Sequence, residues 1–442
     1  MDSLGILPTP VSARRAPGAP FAVVPGVRVV VGEEPDAVGV AVLAAGRIGD
    51  LLHEPVAVVH TDDGSPGALV LRLAAPPGAG PAELRDALTA IGLDRGLPLD
   101  LAREAYRITA TPDRVELLAV TAAGLVRGAV SLLQMVVADA APWLQIPCAT
   151  VVDHPRLPWR GVLVDVSEVP LSVTDAQVLV SVMATLKLNV LHVRSADGTA
   201  WLPDLMEDGH PVPGGFAELQ VHAAGRHIAV VPEVDVVGGA VPPSRTAEVL
   251  GRVAATTRAQ VVHVGGRHLD GDPAAPAGRD VLARAVEDVA AAGAAVMAWQ
   301  SAAAVLGCGR PPRHLLQVHD VTDPAVAAAA ARGAGLVLSP PGLDLAGSAT
   351  LRERHERDPR AEALAAGLPA SAVHGLEAVL GDAHDGTRAG LFGLLLPAVT
   401  AVAEQAWSGA GASSWESFSE RVAAERVRWG HDALYAPAPA EG

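Results

Sequence analysis

From Trp159 onward, short Val/Leu-rich runs recur with mostly helix-forming sequence between them, and this repetition limits the fold more than any other feature. Eight runs stand out: Gly161–Val166, Asn189–Arg194, Ile228–Glu233, Gln260–Val264, Ala294–Trp299, His314–His319, Gly335–Ser339 and Gly375–Leu380. They are almost continuously apolar, as strands covered on both faces must be. Strands alternating with helices form parallel βα units. Eight such units in about 250 residues match a (β/α)8 TIM barrel of the α/β class. A doubly wound open sheet is the competing arrangement. The count of eight, and the absence of a Gly-rich fingerprint after the first run, favour the barrel.

Residues 1–150 have a different texture and read as a small α+β domain. Val27–Val31 and Ala68–Leu73 look like strands, as do Tyr106–Ala110 and Val115–Val120 across the turn Thr111-Pro112-Asp113. Pro81–Ile91 and Gly124–Val136 carry apolar stripes at helical spacing. A Pro-bearing connection leads to a barrel at 151–410, and 411–442 reads as a C-terminal helix and tail. Ser413 and Glu416 are spaced as a capping box for that helix.

Half of the 442 residues are apolar and 19% are charged, ample for a large core. The formal charge of −16 repels phosphate backbones and anionic lipid, so neither nucleic acid nor a membrane is an expected partner. Val289–Gly309 lacks charge, but its Ala/Gly content and breaks at Gly293 and Gly307 fit a buried passage better than a membrane span. Cys148 and Cys308 offer no zinc spacing. The opening MDSLGILPTPVSARR lacks the basic-then-apolar order of a signal peptide, so a cytoplasmic location is expected.

In a barrel the site lies at the C-terminal ends of the strands. The polar residues there are Asp165, His192, Asp197, Glu233, Asp235, His263, Arg267, His268, His319 and Asp320, with Trp299 as an apolar platform. Carboxylates and Arg that bind hydroxyls, beside an aromatic face, suit a sugar.

Six barrel segments resemble glycoside hydrolase family 20, the β-N-acetylhexosaminidases: DHPRLPWRGVLVDVS (153–167), KLNVLHVRSADGTAW (187–201), VVPEVDVVGGA (230–240), VVHVGG (261–266), VMAWQ (296–300) and LLLPAVTAVAEQAWS (394–408). ILPTP, EAYRI and GLVRGAVSLLQM are similar to that family's small N-terminal domain. The resemblance implies substrate-assisted catalysis, in which the substrate's acetamido oxygen attacks the anomeric carbon and no cofactor or metal takes part. It also implies an Asp-Glu pair after the fourth strand, Asp stabilising the acetamido group and Glu serving as general acid/base.

The family pattern His-x-Gly-Gly-Asp-Glu reads His263-Val264-Gly265-Gly266-Arg267-His268 here, so Arg267 and His268 occupy the catalytic positions. The family's Pro-Gly-His reads Val237-Gly238-Gly239, its barrel Tyr has no counterpart, and its Trp-x-Glu falls at Gly381-Asp382-Ala383. Asp270, Asp272, Asp382 or Asp385 are the acids that could replace a lost carboxylate. By the same resemblance Arg160, Asp197, Trp201, His263 and Trp299 are the substrate-binding candidates.

Each candidate also has a structural reading. Arg160 and Asp197 could be ion-pair residues, His263 a hydrogen-bonded core residue and Trp299 core packing. Glu233 and Asp235 could form a strand-end polar network, and Asp270 and Asp272 solvated loop charges. His192, His263 and His268 lack tight ligand spacing, so no metal is expected. Three functions remain open: an active β-N-acetylhexosaminidase, a catalytically impaired relative that binds an N-acetylhexosamine-containing sugar or a protein partner, and a barrel repurposed for another reaction.

Overall fold

The computed structural model describes residues 4–137, 143–166, 171–195, 215–237, 241, 244–267, 269, 275–306, 314–380, 388–409 and 411–431. The first domain contains β1 (Ser12–Arg15), β2 (Phe21–Val23), β3 (Arg28–Val31), α1 (Pro35–Leu52), β4 (Ala57–Val59), β5 (Ala68–Leu73), α2 (Pro81–Ile91), α3 (Leu99–Ala102), β6 (Tyr106–Ala110), β7 (Arg114–Ala119), α4 (Ala122–Gln134), β8 (Leu144–Ile146) and β9 (Ala149–Asp153). Seven strands form one sheet in the order β1-β9-β6-β7-β5-β3-β4, while β2 pairs with β8. Helices α1 and α4 lay apolar stripes, including Val40, Ile48, Leu125 and Leu132, into a core with Val29, Leu71, Ile108 and Leu117.

The eight expected runs become β10 (Trp159–Asp165), β11 (Val190–Ser195), β12 (Ala229–Val234), β13 (Val261–His263), β14 (Ala295–Trp299), β15 (Leu315–Val318), β16 (Gly335–Leu338) and β17 (Val373–Leu380). They pair in parallel in chain order, and β17 closes onto β10, giving a barrel rather than an open sheet. Around and between them lie α5 (Val173–Thr185), α6 (Gly215–Ala224), α7 (Thr246–Thr256), α8 (Ala275–Ala291), α9 (Pro324–Ala331), α10 (Leu351–Glu356), α11 (Pro359–Ala365) and α12 (Arg388–Trp407), and α13 (Trp415–His431) follows. Helix α12 is long and apolar enough to cross a membrane, but 78% of its apolar window is buried within the protein.

Inside the barrel, the two-residue period of a strand stacks side chains in layers. Trp159, Val190, Val231, Met297, Leu315 and Val337 fill the base. One step up lie His192, Glu233, His263, Gln317 and Glu377, all fully buried. Leu163, Trp299 and Val379 pack together beside the C-terminal ends.

Charge joins the two domains beneath the barrel. Glu104 accepts from Arg127 Nε at 2.8 Å and pairs with Arg160. Burial works against its charge, but the two guanidiniums hold its pKa down at about 2. Lys187, the only lysine, is fully buried with φ 57°. Its Nζ lies 2.9 Å from Asp153 Oδ2 and over the Trp407 ring at 4.6 Å.

Three expectations shift. The first domain runs past residue 150, because β9 pairs with β1 and β6 through Asp153. Helix α1 and the short strands β1, β2, β4, β8 and β9 add to the elements read from sequence. The cap of α13 also moves by one residue: Ser414 accepts from Ser417 N at 3.3 Å, while Ser413 donates to Glu404 Oε1 at 2.9 Å. Ser414 directly precedes the first helical residue, Trp415, and its hydroxyl serves the amide at the third helical position.

Candidate active site at the barrel mouth

The fully buried layer below the mouth is polar because five strands each turn one polar residue inward. His192 lies between two carboxylates, Nδ1 2.8 Å from Glu377 Oε1 and Nε2 3.2 Å from Glu233 Oε2. Burial disfavours its charge, but Glu377 and Glu233 outweigh that and raise its pKa to about 9. Glu377 also accepts from Trp159 Nε1 at 2.7 Å and from Gln317 Nε2 at 2.9 Å. Gly161 makes this possible, since a Cβ there would run into the Glu377 carboxylate and the Trp159 indole.

His263 takes the opposite state. Burial, with His192 and Arg194 nearby, pushes its pKa down to about 3 despite Glu233. Its Nδ1 accepts from Gly265 N at 3.1 Å, as a neutral ring can. Glu233 stays ionised: burial opposes its charge, but the surrounding imidazoles and Arg194 hold its pKa at about 2.

Ligand atoms of His192, Glu233 and His263 lie within 4.8 Å of one another, the one metal-competent grouping among the described residues. The donor set does not fit a metal. The His263 Nδ1 lone pair accepts from a backbone N–H, which leaves the neutral ring's proton on Nε2, the atom a metal would need free, and His192 Nδ1 faces the Glu377 carboxylate.

At the mouth, Arg194, one residue before the end of β11, lies on the same face as His192 and is 6% exposed. It reaches Asp165 Oδ2 at 3.1 Å, Glu233 Oε1 at 3.5 Å and Asp235 Oδ2 at 3.5 Å. Asp235 also accepts from Val237 N at 3.2 Å and Gly266 N at 3.4 Å. Gly265 and Gly266 have φ 82° and 95°, and a Cβ on Gly265 would collide with Asp235. This glycine turn ends β13 tight against Asp235 and leads directly to Arg267. The Arg267 side chain is exposed, and its guanidinium carbon lies over the Trp299 ring, 5.1 Å from the centroid.

The sequence-derived site residues therefore separate. Arg267 is at the mouth. His268, Asp197, Trp201, Asp270, Asp272, Asp382 and Asp385 lie outside the described residues. Arg160 as a sugar ligand is corrected. It stands at the start of β10, at the base of the barrel, fully buried, and donates to Glu104 and the carbonyls of Lys187 and Leu157. His263 is corrected too, since it is fully buried below the mouth and bonded internally.

Trp299 offers no open platform. It is 2% exposed, its Nε1 donates to Glu233 Oε1 at 3.2 Å, and Arg267 covers its ring. His319 and Asp320 are exposed, Asp320 accepting from Thr322 in a turn. Arg194, Gln317 and Glu377 were not singled out from sequence. Arg194 follows His192 by two, and Glu377 is a lone charge in the apolar run Gly375–Leu380, both readable as inward-facing polar positions.

Residues 3–154 match the family description "Glycosyl hydrolase family 20, domain 2", and residues 157–264 match "Glycosyl hydrolase family 20, catalytic domain". The second match stops at Val264, just before the turn that carries Arg267. A β-N-acetylhexosaminidase from Cellulomonas fimi is 30% identical across 97% of this chain and 95% of its own length. The family 20 β-N-acetylhexosaminidase structure from Streptomyces coelicolor A3(2) superposes with TM-score 0.79 at 25% identity, covering 100% of this chain and 99% of that one. A mutant Streptomyces plicatus β-hexosaminidase in complex with GlcNAc also superposes at TM-score 0.79 and 25% identity, covering 99% and 97%. With both domains matched and a relative of this identity aligned over nearly its full length, the chain belongs to glycoside hydrolase family 20.

Proposed function

We propose that this chain is a sugar-binding member of the family in which substrate-assisted hydrolysis is lost or severely slowed. The observation that supports this reading is Arg267, a cation at the end of β13 lying over Trp299. The resemblance puts there the carboxylate that stabilises a cationic oxazolinium intermediate. Losing general-acid help costs on the order of 10²–10⁴ in rate, and a charge of the wrong sign adds to that. Asp165, Glu233 and Asp235 do not replace the pair, because Arg194 engages all three. Sugar binding is supported by kinship with a β-hexosaminidase that forms a complex with GlcNAc.

The test is a chromogenic aryl N-acetyl-β-glucosaminide assay. Little or no turnover is expected, and a rate of even ~1 s⁻¹, ordinary for an enzyme, refutes the proposal. The double change Arg267→Asp with His268→Glu is expected to restore little, because catalysis depends on a positioned ensemble whose parts do not add independently.

A further inference from the structure

We infer that Glu377 is a positioning residue for the barrel mouth, acting through His192 and Glu233 on Trp299 and Arg194. The inference rests on the sugar-binding reading above and deepens it by naming what holds the residues directly beneath that site. Every link lies among the described residues.

The relay has a fixed anchor. Glu377 stands on β17, three strands round the barrel from Trp299 on β14. Its buried carboxylate accepts from Trp159 Nε1 at 2.7 Å and from Gln317 Nε2 at 2.9 Å, and it faces His192 Nδ1 at 2.8 Å. A carboxylate held against one ring nitrogen fixes the orientation of an imidazole and favours its charged form. The middle link is then held by charge. His192 Nε2 lies 3.2 Å from Glu233 Oε2, yet neither atom has a hydrogen bond. An imidazolium attracts that carboxylate without strict alignment, and a neutral ring would not.

Glu233 divides its two oxygens between the core and the mouth. Oε2 faces His192 and, at 3.5 Å, His263 Nδ1. Oε1 accepts from Trp299 Nε1 at 3.2 Å and lies 3.5 Å from Arg194 Nε. Turning this one carboxylate would therefore move Trp299 and Arg194 together. Both are nearly buried, Arg194 reaches on to Asp165 and Asp235, and the Arg267 guanidinium rests over the Trp299 ring. The charged and titratable groups packed around His192 are Glu377 from β17, Glu233 from β12 and His263 from β13, its ring 4.8 Å away, while Arg194 from β11 shares Glu233. The two carboxylates prevail and keep His192 charged, with a pKa of about 9.

NMR of the indole N–H groups in the full chain tests this, with the Trp299 resonance assigned by Trp299→Phe. Glu377→Gln keeps the side chain's shape and removes its charge. The Trp159 indole touches Glu377 directly and should shift on any account. Among the described residues Trp299 makes no hydrogen bond to Glu377, so a shift of its resonance reports the relay. In the native chain the Trp299 signal should titrate as His192 loses its proton near pH 9, and Glu377→Gln should move that midpoint down. His192→Gln, which leaves the Gln317–Glu377 bond in place, should abolish the titration. By isothermal titration calorimetry N-acetylglucosamine should bind Glu377→Gln about three- to tenfold more weakly than the native chain, and Glu377→Asp should recover part of the loss.

A Trp299 signal that is flat from about pH 7 to pH 10 in the native chain overturns the relay, and this measurement needs no variant to fold. A Trp299 signal that ignores Glu377→Gln while Trp159 moves overturns it too. Equal affinity of the native chain and Glu377→Gln for N-acetylglucosamine overturns the positioning role and leaves the sugar-binding reading standing. No binding of N-acetylglucosamine by the native chain overturns the sugar-binding reading, and the Trp299 signal alone then decides the relay.

Discussion

Stability should fall by about 3 kcal/mol between pH 6.5 and pH 9, and His192 should be the cause. Its native pKa is about 9 against an ordinary 6.5, because Glu377 and Glu233 face it on both sides of a fully buried ring. A raised native pKa means that the folded chain holds a proton which the unfolded chain has already released. That stabilisation is complete below pH 6.5 and disappears as pH rises through 9. Each pH unit in the interval is worth about 1.4 kcal/mol, giving about 3 kcal/mol in all. On the acid side His263 has the reverse linkage. Its native pKa of about 3 means that the unfolded chain takes the extra proton, so stability falls again below pH 6.5. Urea unfolding from pH 5 to 9.5, followed by tryptophan fluorescence, should therefore peak near pH 6.5. His192→Gln should be less stable at the peak and nearly flat on the alkaline side. A native protein with no alkaline loss, or a His192→Gln variant with the same loss, refutes a protonated His192.

Two further outcomes follow from the packing. Gly265→Ala should destabilise by about 2–4 kcal/mol in urea unfolding, since φ 82° disfavours a side chain and the new Cβ would meet Asp235. Lys187→Met should lower the urea midpoint by the equivalent of about 3–5 kcal/mol, because Asp153 would remain buried without its cation.

The barrel was legible because a strand covered on both faces cannot hide. All seven residues of β10 are buried, and its sequence from Trp159 through Val164 carries a single charge. Helix α1 was harder, since its buried stripe is largely Ala37, Ala41, Ala44 and Ala45 beside exposed Val42 and Leu43, so the apolar contrast between faces is weak. Strands β2, β4 and β8 have three residues each, too few to show a period.

Among the candidate residues, Arg160 and His263 were misread by depth. Arg160 belongs to the same motif as Asp165, but five residues of strand rise about 17 Å, which separates the base of a barrel from its mouth. His263 and Trp299 have sequence neighbours that suit a ligand, yet each is held by bonds to the protein itself.

That internal bonding lets the barrel hold its buried charges together without a substrate. His192 and Arg194 are shared among Glu233, Glu377, Asp165 and Asp235. Among the described residues no member of this polar layer forms an ion pair with Arg267. Arg267 is exposed beyond the last glycine of the β13 turn, its guanidinium over the Trp299 ring. A mouth residue of that kind can exchange a carboxylate for a guanidinium at small cost in folding free energy and large cost in transition-state stabilisation. The scaffold would tolerate such an exchange, because the charges it needs are one layer further in.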